Sequence, residues 1–167
     1  MTLRALLFWV GFALLIGFAA GLAAHPSAAE EVDPDYGPVY RPDKGTAEWF
    51  ENLDRPDYDA SEMSTKSCCS SGDAYPIKIL EEATIGGKEP DGVAIITDGS
   101  KRMIVLPDGR KKYRPEIRAE DLMLHFAGEK VTREVKGNPT STAWAFLSVM
   151  DGHVSMTYCV VPLPPGF

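Results

Sequence analysis

The chain has 167 residues, of which 44% are apolar, and a formal net charge of −7. That apolar share excludes disorder of the whole chain, and the length leaves room for one modest domain behind an N-terminal leader. Residues 30–62 hold eleven acidic residues against three basic ones, a net charge of −8, whereas residues 63–167 hold thirteen of each. A neutral domain lacks the basic footprint of nucleic-acid binding, so we expect no nucleic-acid partner.

The first 29 residues have the three parts of a secretory signal: a charged start at Arg4, an apolar run over residues 5–24, and small residues up to Ala29. They are predicted to be a signal peptide or a membrane anchor. Cleavage after Ala29 would release the protein, but a run of about 20 apolar residues is also long enough to cross a bilayer. Either outcome predicts an exported, periplasmic protein, either soluble or anchored to the inner membrane by residues 5–24.

Small residues in the apolar run recur at four-residue spacing, which places them on one face of a helix. Such a face allows close packing of helices in lipid. If the anchor is retained, this helix would contact a membrane-protein partner. The residues that would carry this packing are Ala13, Gly17 and Gly21.

Residues 30–45 form an acidic, proline-rich arm, with Pro34, Pro38 and Pro42 at regular four-residue intervals. Each proline fixes φ and disfavours helix in the residue before it, which predicts an extended segment. Two interpretations stand. The arm lies along a protein partner or along its own domain, or it is a solvated spacer, which is the interpretation we favour.

A single β-rich domain is predicted for residues 46–167, and it opens with one short amphipathic helix. Thr46 is the predicted N-cap, and Glu48 and Glu51 lie near the positive end of the helix dipole. We expect the apolar face to dock on the domain and bury its aromatic rings. The side chains on that face are Trp49, Phe50 and Leu53.

Three cysteines, Cys68, Cys69 and Cys159, leave one thiol over if the exported chain forms one disulfide. Adjacent cysteines rarely bond each other, because the ring they close distorts the peptide between them. Cys159 is therefore expected to pair with Cys68 or Cys69, closing a loop of about 90 residues. Three interpretations of the leftover cysteine stand. It is a buried, unreactive thiol, it forms a disulfide with a second chain, or it belongs to a thiol or metal site with His125, His153 or a methionine.

After Pro76 the sequence consists of short apolar runs separated by turn residues, which predicts a meander of short strands. The predicted strands are 77–83, 93–97 and 103–106, with turns at Asp98-Gly99, of the hairpin type, and at Pro107-Asp108-Gly109. A basic cluster follows at residues 110–114. We interpret it as a solvated strand edge that charge keeps from aggregating, and a site for an anionic partner or lipid headgroup is the alternative.

The clearest local structure is a hairpin with arms 143–150 and 153–161 and an Asp151-Gly152 turn, which prefers positive φ. Strict alternation assigns the second arm to two faces, one with Val154, Met156, Tyr158 and Val160 and the other with Ser155, Thr157, Cys159 and Val161. Both arms are apolar on both faces over part of their length, so the hairpin should be central. The predicted fold class is therefore mainly β, a small antiparallel barrel or two-layer sheet, with an N-terminal apolar helix and one short amphipathic helix.

Five motifs stand out between residues 46 and 167. They are Trp49-Phe50-x-x-Leu53…Pro56, Ser67-Cys68-Cys69-Ser70…Asp73-Ala74-Tyr75, Gly92-Val93-Ala94-Ile95-Ile96-Thr97-Asp98, Gly137-Asn138-Pro139-Thr140 and Tyr158-Cys159-Val160-Val161-Pro162. Together they resemble the pattern of a group of small exported alphaproteobacterial proteins. The resemblance implies an exported β-domain, and it carries over no catalytic residue.

The sequence has no Gly-x-Ser-x-Gly element and no glycine-rich phosphate loop. We therefore expect neither an enzyme nor a cofactor. The predicted function is that of an exported non-catalytic β-domain, a structural or accessory subunit of a periplasmic or membrane-bound assembly. Its expected partners are a membrane protein at the N-terminal helix and a protein along residues 30–45. The alternative is a periplasmic thiol- or metal-handling protein that uses the cysteine left outside the disulfide.

Overall fold

The computed structural model describes residues 31–63, 66–68, 73–132 and 138–163. Five antiparallel strands form a nearly closed barrel, four further strands form a second sheet, and the described part of the chain has one short α-helix. The predicted fold class, a mainly β domain with a small antiparallel barrel and one short helix, is confirmed. The predicted N-terminal apolar helix falls in a segment that the structure does not describe.

Nine strands lie within the described residues, in two sheets. They are β1 (Val32–Asp33), β2 (Gly37–Tyr40), β3 (Asp73–Glu81), β4 (Pro90–Ile96), β5 (Arg102–Val105), β6 (Lys111–Arg114), β7 (Met123–Ala127), β8 (Ala143–Met150) and β9 (His153–Val161). The barrel has the spatial order β7-β4-β3-β8-β9, and every neighbouring pair in it is antiparallel. The second sheet has the order β1-β2-β5-β6.

The two outer strands of the barrel, β7 and β9, are brought together by the segment that follows β7. After a 3₁₀ turn at Gly128–Lys130, Val131 pairs in parallel with Val160. The Thr132 N–H also donates to the carbonyl of Val160 over 2.9 Å. These contacts cover part of the edge that β9 would otherwise leave unpaired.

The barrel interior is filled by side chains. Its buried residues are Tyr75, Ile77, Ala94, Ile96, Ile117, Leu124, Phe126, Val131, Ala143, Ala145, Leu147 and Val160. A barrel of this size has an interior just wide enough for side chains, so its centre is a packed core.

The β8–β9 hairpin matches the prediction residue for residue. In its turn, φ is 53° at Asp151 and 84° at Gly152. Positive φ at both central positions is the type I′ geometry, which twists in the same sense as the flanking strands and which an Asp-Gly turn favours.

The predicted alternation along β9 is wrong at two places, because the strand contains two bulges; the second leaves Ser155 as an extra residue between Met156 and Val154. Phe146 pairs with Cys159, but the next residue of β8, Leu147, pairs with Thr157. Tyr158 is therefore an extra residue, and it packs on the outside of the barrel together with Cys159.

The acidic arm lies along its own domain. β2 pairs in parallel with β5, with Val39 opposite Met103 and Tyr40 opposite Ile104. Residues from Glu31 onward belong to the same compact unit as the barrel. The solvated-spacer interpretation is thus wrong for residues 31–45, because their extended backbone finds a strand to pair with.

The two predicted turns between strands have different outcomes. Pro107-Asp108-Gly109 connects β5 to β6 as an antiparallel hairpin, with φ of 85° at Gly109. Asp98-Gly99 does not close a hairpin, because β4 belongs to the barrel and β5 to the other sheet. The Asp98 loop is therefore the crossing point between the two sheets.

The helix α1 spans Lys44–Asn52, and its N-cap is Asp43 rather than the predicted Thr46. The Asp43 carboxylate accepts hydrogen bonds from the N–H of Thr46 at 3.0 Å and from its hydroxyl at 2.7 Å. A carboxylate at the positive end of the helix also gains from the helix dipole. The predicted apolar face packs as expected: Leu53 is buried, and Phe50 is half-buried in the same cluster.

A second apolar cluster covers the outer face of β8 and β9. It consists of Leu53, Cys68, Trp144, Phe146, Cys159 and Val161, with Trp49, Phe50, Ala74 and Tyr158 packed against it. The domain therefore has a core inside the barrel and another beneath α1. This explains why both faces of the hairpin are apolar.

The loop after α1 is also held by buried charges. Arg55 and Asp57 form an ion pair at 3.1 Å, and their side chains are only 8% and 7% exposed. Lys130, in the 3₁₀ turn beside the barrel, binds the same carboxylate oxygen of Asp57. The guanidinium of Arg55 lies over the Tyr158 ring, 5.1 Å from its centroid. The loop is thus fastened to the barrel rim before it reaches Cys68.

Gly128 sits where two backbone segments meet, and we expect Gly128→Ala to destabilise the domain by about 1–3 kcal/mol. A Cβ there would overlap the carbonyl oxygen of Thr84, which is backbone and cannot rotate away. Urea denaturation of wild type and variant measures the effect. Gly109→Ala is the control: a Cβ at Gly109 meets nothing within 4 Å, so only its positive φ opposes the change. Equal stability of wild type and Gly128→Ala would contradict the close approach.

Within the described residues, no helix combines the length and the apolar character needed to cross a membrane. The predicted anchor, residues 5–24, falls outside them.

Candidate functional site

A pocket of about 200 Å³ is bounded by the four-stranded sheet, α1 and the outer face of the barrel. Its apolar and aromatic lining residues are Tyr40, Pro42, Ala47, Phe50, Ala74, Pro76, Ile104, Leu106 and Trp144. The charged residues of the lining are Glu51, Asp98, Arg102, Lys112 and Arg114. Apolar walls with a few placed polar groups are the usual composition of a small-molecule site.

One wall of the pocket is the β5–β6 hairpin. Its register places Arg102 opposite Arg114, and Ile104 opposite Lys112. Side chains alternate along a strand, so Lys111 projects from the opposite face. β6 is an edge strand, as the basic cluster suggested, but Arg114 is only 5% exposed. The solvated-edge interpretation is therefore wrong for Arg114.

Asp98 joins the two arginines of this wall. Its Oδ2 accepts from Arg102 Nε at 2.9 Å and from Arg114 Nη2 at 2.7 Å. Its Oδ1 accepts from the N–H of Ser100 at 3.0 Å and from the hydroxyl at 2.6 Å. Like charges directly opposite on a sheet destabilise it, and the shared carboxylate offsets that repulsion.

The electrostatics of this cluster keep Asp98 ionised. Burial raises the pKa of Asp98, but hydrogen bonds from Ser100 and Arg114 and the charge of Arg114 outweigh burial and hold the pKa well below its usual range. A carboxyl group serves as a general acid or base when its pKa lies near the working pH. The pKa of Asp98 is instead far below neutral pH, so Asp98 stays ionised and does not exchange its proton at the working pH.

Arg114 is held from several sides. Its Nε and Nη2 donate to the carbonyl of Ser100 at 3.2 and 2.9 Å, in addition to the Asp98 contact. Its guanidinium lies over the Tyr75 ring, 4.9 Å from the centroid, and the Tyr75 hydroxyl donates to the Pro115 carbonyl at 2.8 Å. This buried cation is therefore a rigid part of the pocket wall.

The opposite wall is aromatic, and the loop before β8 positions it. Trp144 Nε1 donates to Thr140 Oγ1 at 2.8 Å, and Asn138 Oδ1 accepts from the N–H and the hydroxyl of Thr140 at 2.9 and 2.6 Å. Phe50 of α1 meets Trp144 edge to face, with ring centroids 5.1 Å apart. The Asn-Pro-Thr segment that stands out in the sequence thus orients an indole of the pocket.

Cys68 and Cys159 form a disulfide, with Cα atoms 5.8 Å apart, and both residues are 0% exposed. The bond joins the loop after α1 to β9, as predicted, and it uses Cys68 of the two adjacent cysteines. The Cys68 N–H also donates to the Leu53 carbonyl at 2.8 Å. Other predicted site residues lie outside the described part of the chain: Cys69, Ala13, Gly17 and Gly21.

The histidines named as possible metal ligands have other surroundings. His153 Nδ1 is 2.9 Å from Asp121 Oδ2, and its Nε2 is 2.8 Å from Arg118 Nη1. His125 lies in β7, opposite Val93. In the described ranges, no three His, Cys, Asp or Glu side chains are grouped as a metal site requires.

No protein-family model, curated protein or solved structure matches the chain. The pocket therefore has to be interpreted from its own residues. Sequence reasoning missed it because its walls come from the arm, α1, the Asp98 loop and the β5–β6 hairpin, which are far apart along the chain. The one available signal was the basic cluster at residues 110–114, whose alternation places Lys112 and Arg114 on one face.

Proposed function

We propose that this chain is exported to an oxidising compartment, the periplasm, and works there as a non-catalytic accessory domain. The observation that carries the proposal is the buried Cys68–Cys159 disulfide. Structural disulfides persist in oxidising compartments and are rare in the cytosol. The apolar run of residues 5–24 and the resemblance to small exported proteins support the same conclusion.

A binding role fits the described residues better than a catalytic one. The barrel interior is packed core, and Asp98, Arg102 and Arg114 beside the pocket are held in ion pairs rather than poised for proton transfer. In this proposal the domain serves a periplasmic or membrane-bound assembly. Its partners are a membrane protein at the N-terminal helix and a protein along the arm, where β1 (Val32–Asp33) forms the edge of its sheet.

The full chain, expressed with its own leader in a Gram-negative host, is expected in the periplasmic or membrane fraction with Cys68 and Cys159 oxidised. Alkylation without reduction, followed by peptide mass spectrometry, measures the N-terminus and the disulfide together. A chain that begins at Glu30 supports the cleaved form, and an uncleaved chain in the membrane fraction supports the anchored form. Deletion of residues 1–29 is the control and should leave both cysteines reduced in the cytoplasm. Reduced full-length protein in the cytoplasm would contradict export.

The alternative, a thiol- or metal-handling protein, would depend on Cys69, because the disulfide uses the other two cysteines. None of the described contacts favours it. The same alkylation experiment reports whether Cys69 reacts in the native protein.

A further inference from the structure

We propose that the pocket between the β5–β6 hairpin and α1 binds a small amphiphile: a carboxylate that carries a single aromatic ring or a short acyl chain. The proposal concerns this pocket alone. It goes beyond export and an accessory role, and it stands or falls independently of them.

The size and lining of the pocket define the apolar part of the ligand. An apolar cavity of roughly 150 Å³ is enough to hold benzene. The pocket has about 200 Å³ and therefore accommodates one substituted ring or a short chain. Phe50 and Trp144 offer ring surfaces for stacking, while Ile104 and Leu106 complete an apolar floor.

The charges of the lining define the polar part of the ligand. Three cations and two carboxylates line the pocket. One of these carboxylates, Glu51, is already bound at 2.7 Å by Arg110, which is not part of the lining. Asp98 is shared between Arg102 and Arg114. Among the cations of the lining, Lys112 is the one without an ion pair in the described part of the chain, so its charge is the one that an anionic head group would balance.

Lys112 is the residue that supplies the cation for that head group. It is half-buried, faces the pocket beside Ile104, and has no ion-pair partner among the described residues. A lysine stem can pack along apolar surface while its ammonium stays accessible to water, so Lys112 can offer its charge to a ligand in the pocket. A carboxylate bound there would form a charge-assisted hydrogen bond.

Isothermal titration calorimetry with octanoate, 3-phenylpropionate and neutral 1-octanol tests the proposal on the purified protein. Both carboxylates are expected to bind, and 1-octanol is expected to bind more weakly than octanoate. Lys112→Met should weaken octanoate binding about tenfold or more, because it removes a hydrogen bond to a charged group. It should leave 1-octanol binding unchanged, because the apolar walls remain.

Lys111→Met is the matched control, since it removes the same charge from the same strand on the face opposite the pocket. It should leave octanoate affinity unchanged, and equal thermal midpoints of the two variants would show that both are folded. Failure of both carboxylates to bind at millimolar concentration would overturn the pocket as a ligand site. Equal affinity for octanoate and 1-octanol, or equal losses in the two lysine variants, would overturn the assignment of the head group to Lys112.

Discussion

Loss of the Cys68–Cys159 disulfide is expected to lower the free energy of unfolding by about 4–5 kcal/mol. The bond joins residues 91 positions apart, so it closes most of the domain into one loop. Cross-linking so long a loop removes much of the conformational freedom of the unfolded chain. Both cysteines lie in the second apolar cluster, on the outer face of β8 and β9. The reduced protein would therefore also lose the covalent link between the loop after α1 and β9.

Urea denaturation of the oxidised wild type and of the Cys68→Ala/Cys159→Ala double variant measures this difference. Alanine is preferred to serine, because a hydroxyl in this apolar cluster would be buried without a partner. Wild type unfolded in the presence of a thiol reductant should show a similar loss. A double variant with wild-type stability would contradict the assigned role of the bond.

Cys69→Ala is the control for the pairing itself. This variant should retain the Cys68–Cys159 peptide in non-reducing mass spectrometry. A wild-type protein in which Cys69 and Cys159 are linked would contradict the disulfide described above.

The elements that could be predicted from the sequence are those set by neighbouring residues. The β8–β9 hairpin was predicted because Asp151-Gly152 specifies its own turn and the arms are β-rich on both sides. The disulfide could be predicted up to the choice between the adjacent cysteines, because strain in a vicinal bond excludes one of the three possible pairings. The apolar and acidic pattern of neighbouring residues also predicts the amphipathic helix, although its N-cap is Asp43 and not Thr46.

The elements that could not be predicted depend on pairing between distant segments. Nothing near Val39 in the sequence indicates that β2 would lie parallel to β5, about 60 residues later. Asp98-Gly99 resembles a hairpin turn, yet the chain crosses there from one sheet to the other. The pocket depends on both of these facts, because the arm and the β5–β6 hairpin form its walls. A pattern within any single segment therefore could not reveal the pocket.

Asp98→Asn is expected to destabilise the domain by about 3 kcal/mol, since removing one partner of a buried ion pair leaves the other charge uncompensated. Arg114 would stay buried with a side chain only 5% exposed, directly opposite Arg102. The cost lies at the low end of the usual range, because the Asp98 and Arg102 side chains are each 26% exposed and water screens them in part. Asp108→Asn is the matched control, because the Asp108 carboxylate pairs with Arg110 at an exposed position. The urea denaturation midpoint of this variant should barely differ from that of the wild type. Equal midpoints for the two variants would contradict the assigned role of Asp98.

The pH dependence of the same comparison tests whether the arginines hold Asp98 ionised. The folded pKa of Asp98 is lowered, so its stabilising contribution is complete above the ordinary aspartate pKa of about 4 and declines as pH falls toward the folded pKa. The stability difference between wild type and Asp98→Asn should therefore be constant from neutral pH to about pH 5. It should then shrink by about 1 kcal/mol by roughly pH 3, because the unfolded chain binds a proton that the folded chain does not. All other titrating groups are common to both proteins and cancel in the difference. If the stability difference between wild type and Asp98→Asn stays constant in acid, Asp98 has the same pKa in the folded and unfolded states. That result would contradict the inference that Arg102 and Arg114 hold Asp98 ionised.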